Sequence, residues 1–385
     1  MAKKGDMLYA WTNDADIKKK AELGGAVTAI WKHALESKVV DAVFAITKGK
    51  DLYDAQPVFI TDPKQLASTA GSLHCGTLLL PKLVKKYLDG AKTMKIGVTV
   101  KGCDVMGFIE LAKRKQINLD NVVMIGVNCG GSVSPMLARR MIADKYGVDP
   151  DKVHKEEIDK GQFIIEYEGG HKGISIDELE DAGYGRRSNC RRCKYKVPRQ
   201  ADLACGNWGV IGEKAGKATF VEVCSDKGAS LVDGAVKSGI LATEPANPKG
   251  LEIRGKVEGA MFKLGDKWRK RDFEALGDGK DRLKKIMQET SRCIKCYSCI
   301  ENCPVCFTAA EELKKDTLMV KRGELPPNSM FHLRRFAHIS DTCINCGQCE
   351  ELCPMDIPMA LFSHAIRTEG DAAFEPKLGK AAYTN

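Results

Sequence analysis

No run of 18 or more consecutive apolar residues occurs in this chain of 385 residues, so no segment has the length of a membrane-spanning helix. The first twenty residues, MAKKGDMLYAWTNDADIKKK, also lack the apolar stretch of a signal peptide. These absences set the expectation of a soluble, cytoplasmic protein without a membrane span. There is no Walker A loop, no H-E-x-x-H, and no G-x-G-x-x-G after a strand, so neither NTP hydrolysis nor nicotinamide binding is signalled. The formal net charge is +9, but the basic residues form short runs such as Lys18-Lys19-Lys20 and Arg191-Arg192, without a recognisable nucleic-acid module. No nucleic-acid partner is expected.

Cysteine, by contrast, is abundant. Sixteen cysteines in a chain without an export signal point to metal ligation in a reducing compartment, because disulfides persist mainly outside the cytosol. Eight of them form two runs, CIKCYSCIENCP (Cys293, Cys296, Cys299, Cys303) and CINCGQCEELCP (Cys343, Cys346, Cys349, Cys353), each closed by a proline. This is the bacterial-ferredoxin spacing, in which three thiolates of one run hold a 4Fe-4S cluster and the fourth crosses to the other cluster. Cys293, Cys296, Cys299 and Cys353 are expected to hold one cluster, and Cys343, Cys346, Cys349 and Cys303 the other. Two copies at matching spacing set disulfide and zinc alternatives aside. An oxidised cluster with four thiolates carries about two negative charges, so three clusters would bring the net charge to about +3, a balance suited to anionic cofactors.

Upstream, residues 23 to 148 alternate strand, loop and helix. Apolar or β-branched runs at 39–47, 57–61, 95–100 and 122–127 read as strands, and Asp62-Pro63 as a helix start. A helix is expected over 76–88. The fold class is therefore α/β, with an open, mainly parallel sheet. Lys101-Gly102-Cys103 and Asn128-Cys129 follow two of these strands, at the carboxyl edge where open α/β sheets place ligands. Segments 163–167 and 173–176, joined through Gly169-Gly170, read as a β-hairpin insertion leading to Cys190 and Cys193. Cys224 and Cys75 read as core and helix-start residues, and Cys205 as a further candidate ligand. A helix is expected over 229–240, mixed short elements to 278, and a helical lead-in over 281–291. The domains are thus 1–279 and 280–385. Between the cluster runs, Pro326-Pro327 marks a loop, and His332 and His338 read as surface or packing residues. The tail from Thr368 is polar and small and reads as flexible.

At Leu23-Gly24-Gly25-Ala26-Val27-Thr28, Lys101-Gly102-Cys103, Gly126-Val127-Asn128-Cys129-Gly130, and Cys190 and Cys193 followed by Ala201-Asp202-Leu203-Ala204-Cys205-Gly206, the chain resembles the beta subunits of coenzyme F420-dependent hydrogenases and dehydrogenases. The resemblance covers about residues 5 to 285. A ferredoxin module behind this region, rather than in front of it or missing, is similar to the formate-dehydrogenase branch found in methanogenic archaea. The resemblance implies FAD and a third 4Fe-4S cluster in the α/β domain, with Cys103, Cys129, Cys190 and Cys193 as ligands. It also implies FAD contacts at Gly24, Gly25 and Thr28, with Ser72, Lys101, Gly102, Gly206 and Asn207 as further contacts. One departure is Cys205, which stands where the family usually has a small hydroxyl residue.

Clusters pass single electrons and a deazaflavin exchanges a hydride, so a flavin is the natural converter between them. The implied activity is an oxidoreductase subunit carrying electrons from formate, oxidised on a separate molybdenum or tungsten alpha subunit, to coenzyme F420 as substrate. No side chain is expected to act as a catalytic acid or base. An alternative is an electron-wire adaptor of a hydrogenase or heterodisulfide reductase complex. A heterodisulfide reductase complex is also a candidate further partner.

Overall fold

The computed structural model describes residues 1–159, 161–306 and 329–378. Pro326-Pro327, most of the segment between the two cysteine runs, and the end of the tail lie outside the described residues. No described helix is long and apolar enough to cross a membrane. The chain forms two compact units, the first comprising Met1–Val105, Lys115–Arg187 and Tyr195–Phe262, the second Met106–Arg114, Ser188–Lys194 and Lys263–Asn385. The sequence boundary near Gly279 falls within the second unit.

The first unit is built on an eight-stranded sheet: β1 (Met7–Thr12), β2 (Ala42–Lys48), β3 (Ala55–Ile60), β4 (Ile96–Val100), β5 (Val122–Val127), β9 (Leu203–Gly206), β10 (Thr219–Val223) and β11 (Leu241–Pro245). Their order is β11-β1-β10-β9-β5-β4-β2-β3. The sheet is mixed. β2, β4, β5 and β9 run parallel, and antiparallel pairs flank them on both sides. Five of the eight strands still share one direction, since β1 returns to the sense of β9 across β10. The central runs IGVTV and VVMIGV are almost wholly buried, as strands covered on both faces must be.

Helix α1 (Ala15–Lys20) is capped by the Asp14 carboxylate, which accepts from the Asp16 and Ile17 N–H groups. Helix α2 (Ala26–Glu36) buries Ala29, Ile30, Trp31 and Ala34 in the main core. Trp31 is 1% exposed, and its indole donates to Thr99 Oγ1 at 2.8 Å. It lies so close to Gly97 that a Cβ there would meet the ring at 2.5 Å. Burying a side chain of this kind contributes roughly 1.5–3 kcal/mol. Helix α3 (Leu80–Tyr87) starts later than the sequence indicates. Pro81, favoured in the first turn, sets its start, and 76–79 lie outside the helix. Cys75 therefore sits in a loop, buried, with its thiol donating to Glu156 Oε2 at 2.7 Å. Helices α4 (Gly102–Lys113), α5 (Pro135–Met141), α6 (Ile176–Asp181), α7 (Ser188–Arg191) and α8 (Asp226–Lys237) follow.

The hairpin gains a third strand. β6 (Val153–Asp159) pairs with β7 (Gln162–Tyr167), which pairs with β8 (Gly170–Ser175), giving a small antiparallel sheet with Phe163 and Ile165 in its own core. The stretch expected to hold mixed short elements is instead β11 and one 29-residue helix, α9 (Pro248–Leu276). Glycines disguise this helix in the sequence. Gly250 is needed there because a side chain would collide with the Tyr9 hydroxyl and the Gly209 carbonyl, which are joined by a 2.6 Å hydrogen bond.

In the second unit, α10 (Gly279–Thr290), α11 (Ser298–Glu301), α12 (Ser329–Ile339), α13 (Gln348–Glu351) and α14 (Met359–Leu378) enclose a small core of Ile286, Phe336, Ile357, Phe362 and Ala365. The tail expected to be flexible from Thr368 is helical to Leu378. Its first turns are anchored by Phe362 and Ala365 and by Arg367 pairing with Asp371 at 2.6 Å.

Candidate cluster and cofactor sites

The two cysteine runs fold as copies of one another. Lys295 and Asn345, each the second residue after a leading cysteine, have φ of +50° and +52°, and Tyr297 and Gly347 have +67° and +78°. Left-handed backbone at non-glycine residues is uncommon. Here it recurs at matched positions, curling each C-x2-C-x2-C run around a common centre before a single turn of helix, α11 or α13, carries the third cysteine. The Lys295 N–H points back to Cys293 Sγ at 3.2 Å.

Cys303, Cys343, Cys346 and Cys349 line one cavity with Arg335 and Asn345, the grouping expected from the crossed pattern. Burial pushes the Cys293 thiol up to about 11, and neighbouring Cys299, Cys296 and Cys353 push the same way, which places these four together. Among the described residues no three His, Cys, Asp or Glu side chains converge tightly enough to hold a single metal ion. A cubane is gripped from four corners, so thiols disposed around a cavity fit its shape. Binding iron would displace protons from thiols that burial keeps protonated, Cys343 up to about 11 among them. Of the two readings of His332, surface or packing, the structure gives packing: it is buried against Phe331 and Phe336, and burial lowers its pKa to about 4.

The four remaining candidate ligands are divided. Cys103, at the start of α4, and Cys129, past the end of β5 with its N–H on Lys196 O at 2.9 Å, belong to the first unit. Cys190 and Cys193 belong to the second, where Cys193 N–H donates to Cys190 O at 3.3 Å. Cys205 lies at full burial within the main core of the first unit, its thiol pushed up to about 12 by that burial.

The candidate flavin contacts gather along one sheet edge. β1, β9 and β4 run in the same direction, and at their carboxyl ends stand Gly24, whose carbonyl accepts from Thr12 N–H at 2.7 Å, Gly206 with Asn207, and Lys101 with Gly102. Gly25 (φ +70°) begins α2 without a side-chain cap, and Thr28 lies buried in its first turn. An uncapped helix start at a sheet edge suits an anionic phosphate group. Gly24 has a packing reason as well: a Cβ there would meet Ala10 O at 2.5 Å and Ala218 Cα at 2.8 Å. Ser72 is exposed on the loop before α3 and hydrogen-bonds Glu22.

Lys101 is tied by Asp104. The Asp104 carboxylate is wholly buried, takes the Lys101 ammonium at 2.9 Å, and accepts backbone N–H groups of Lys101 and Leu80, each at 3.0 Å. Burial opposes the ammonium charge, but Asp104 outweighs it and holds the Lys101 pKa above its ordinary value.

Sequence reasoning passed over Asp104, although it adjoins Cys103. It also passed over Glu22 and His74, whose Oε1 and Nε2 lie 3.7 Å apart. Burial pushes Glu22 up and His74 down, yet their mutual attraction wins, leaving Glu22 below and His74 above their ordinary values. The His74 contribution is full below pH 6.5 and fades as pH rises through its raised value; that of Glu22 is present above pH 4.5 and fades as pH falls through its lowered one. Glu22→Gln should therefore lower the melting temperature most between these two values and least in alkaline buffer. Thermal melts across that range check this, and a uniform loss at every pH would refute it.

Residues 7–85 and 93–249 match the models for the N-terminal and C-terminal parts of the "Coenzyme F420 hydrogenase/dehydrogenase, beta subunit", and 289–357 match the "4Fe-4S dicluster domain". The F420-dependent formate dehydrogenase subunit beta of Methanocaldococcus jannaschii is 49% identical over 92% of this chain and 91% of its own length. The chain belongs to the coenzyme F420 hydrogenase/dehydrogenase beta-subunit family. It is thus an oxidoreductase component with an iron-sulfur domain. The F420-dependent formate dehydrogenase 1 subunit beta of Methanococcus maripaludis is likewise 49% identical, over 96% of this chain and 95% of its own. The coenzyme F420 hydrogenase subunit beta of Methanothermobacter thermautotrophicus is 26% identical over 62% of this chain and 84% of its own. A solved structure titled for the F420-reducing [NiFe] hydrogenase complex from Methanosarcina barkeri shares the fold, with TM-score 0.59 and 22% identity over 71% of this chain and 93% of that one.

Proposed function

We propose that this chain is the flavin and iron-sulfur subunit of a formate dehydrogenase, taking electrons released from formate on a separate molybdenum or tungsten subunit and delivering them as hydride to coenzyme F420. The observation that carries this reading is coverage. The formate-enzyme relatives align over more than nine-tenths of their own length and of this chain, ferredoxin module included, whereas the hydrogenase alignment spans 62% of it.

Bound FAD would supply the exchange between one-electron and hydride chemistry. The residues of this chain bind and orient. Gly25 and Thr28 offer the start of α2 to a phosphate, and Lys101, fixed by Asp104, adds a positive charge at the same sheet edge. Cys293, Cys296, Cys299 and Cys353 would hold one cluster, Cys303, Cys343, Cys346 and Cys349 the second, and Cys103, Cys129, Cys190 and Cys193 a third.

The chain, purified anaerobically, should contain FAD and about twelve irons, as three 4Fe-4S clusters require. With the catalytic subunit added, formate should bleach the F420 absorbance. Absence of flavin, or an iron content well short of that figure, would overturn the proposal.

A further inference from the structure

Arg335 is the feature that the proposed function leaves unexplained. It lies on α12, wholly buried, with its Nη2 donating to Cys299 O at 2.8 Å. Its Nε and Nη1 have no hydrogen-bond partner among the described residues. A buried guanidinium with unsatisfied donors is costly unless a counter-charge completes it. No carboxylate pairs with it among the described residues. Instead its neighbours are thiols, Cys299, Cys349, Cys303 and Cys306, and it forms part of the wall of the cavity bounded by Cys303, Cys343, Cys346 and Cys349. The group whose charge and acceptors match these donors is a sulfur-rich anion.

We propose that Arg335 sets the reduction potential of the cluster held in this cavity, donating its unpaired N–H groups to cluster sulfur and holding the potential above that of an otherwise identical site. The inference rests on the cluster assignment of the proposed function. On reduction the cluster gains one electron and one negative charge, Arg335 stays protonated, and no bond is made or broken. A fixed positive charge and N–H···S hydrogen bonds stabilise the more negative reduced state preferentially, which raises the potential. Arg335 is thus a positioning and tuning residue, without contact to formate or F420.

The test compares Arg335→Met and Arg335→Lys in the full chain, reconstituted anaerobically and titrated electrochemically with electron paramagnetic resonance as readout. Cys346→Ser identifies which signal belongs to the cavity. With iron content intact, Arg335→Met should lower the midpoint of the cavity cluster more than that of its neighbour. Arg335→Lys, which keeps the charge but loses the planar fork, should fall between Met and wild type. Unchanged midpoints in Arg335→Met, or equal shifts of both module clusters, would overturn the proposal. If Arg335→Met fails to retain iron, the lysine variant decides, a lowered cavity midpoint supporting the proposal and a wild-type midpoint overturning it. A wild-type chain whose module holds no cluster would overturn the underlying assignment, and iron analysis reveals that before any variant is made.

Discussion

Cys303→Ala should disable the cluster of the other cysteine run, not that of its own. Cys303 follows Cys293, Cys296 and Cys299 closely in sequence, yet it lines the cavity shared by Cys343, Cys346 and Cys349. Burial and the backbone turns fix it there at 7% exposure, so no local rearrangement returns it to its sequence neighbours. The expected result is a loss of about four irons per chain, the content of one cluster. The resonance signal lost should be the one lost in Cys346→Ser, not the one lost in Cys296→Ser. Formate-dependent F420 reduction should drop to background if the cavity cluster lies in the electron path. Iron analysis and spectra of the three variants check this directly. A Cys303→Ala spectrum matching Cys296→Ser would show that each run closes on itself.

Asp104→Ala should be the most destabilising single change at the sheet edge of the first unit. Its carboxylate gathers the Lys101 ammonium and two backbone N–H groups, and removing it strands both N–H groups and leaves the ammonium, which also donates to Leu78 O at 3.0 Å, without its counter-charge. Breaking a buried ion pair costs about 3–5 kcal/mol. The Lys101 side chain is 24% exposed, so water recovers part of this loss, and the lower end, about 3 kcal/mol, is expected. Asp104→Asn keeps one oxygen acceptor and should lose less. Thermal and denaturant unfolding of the three proteins in the same cofactor state measure the order. A cost for Asp104→Ala no greater than that of a surface substitution, about 0.5 kcal/mol, would refute the reading. Because Cys103 sits between Lys101 and Asp104 in the chain, iron bound at Cys103 should become labile in parallel.

The parallel core of the sheet was legible because IGVTV and VVMIGV are apolar but for Thr99, and buried strands need little else. The Asp62-Pro63 helix start was legible too: Asp62 caps the 3-10 segment Pro63–Thr69 by accepting from Lys64 N–H. Helix α9 was not, because four glycines within Pro248–Leu276 lower its local propensity, and its helicity is decided by packing such as Gly250 against Tyr9 and Gly209. The strand β11 was missed for a related reason, since LATEP alternates weakly and pairs through its backbone with β1. At the candidate sites the cysteines announce themselves by spacing, whereas their supports do not. Arg335 is an instructive case. With Phe331 and Ile339 it recurs every fourth residue on one face of α12, so an arginine on an apolar stripe was the available signal. Glu22 with His74 and Asp104 with the Leu80 backbone N–H are partnerships across the chain that no local pattern displays.

The second unit is assembled from three separated stretches of chain, and this bears on how freely the ferredoxin part can be transplanted. Residues 188–194 are stitched into it: Asn189 and Asn345 exchange side-chain-to-backbone hydrogen bonds at 3.1 Å in both directions, and Arg192 pairs with Asp272 at 2.7 Å. Residues 106–114 join it through Glu110 and Arg114, which reach Arg367 and Asp341. A cut before residue 280 would leave these stitches behind. The tail is therefore not a cassette, and a graft onto another scaffold must carry both short segments with it.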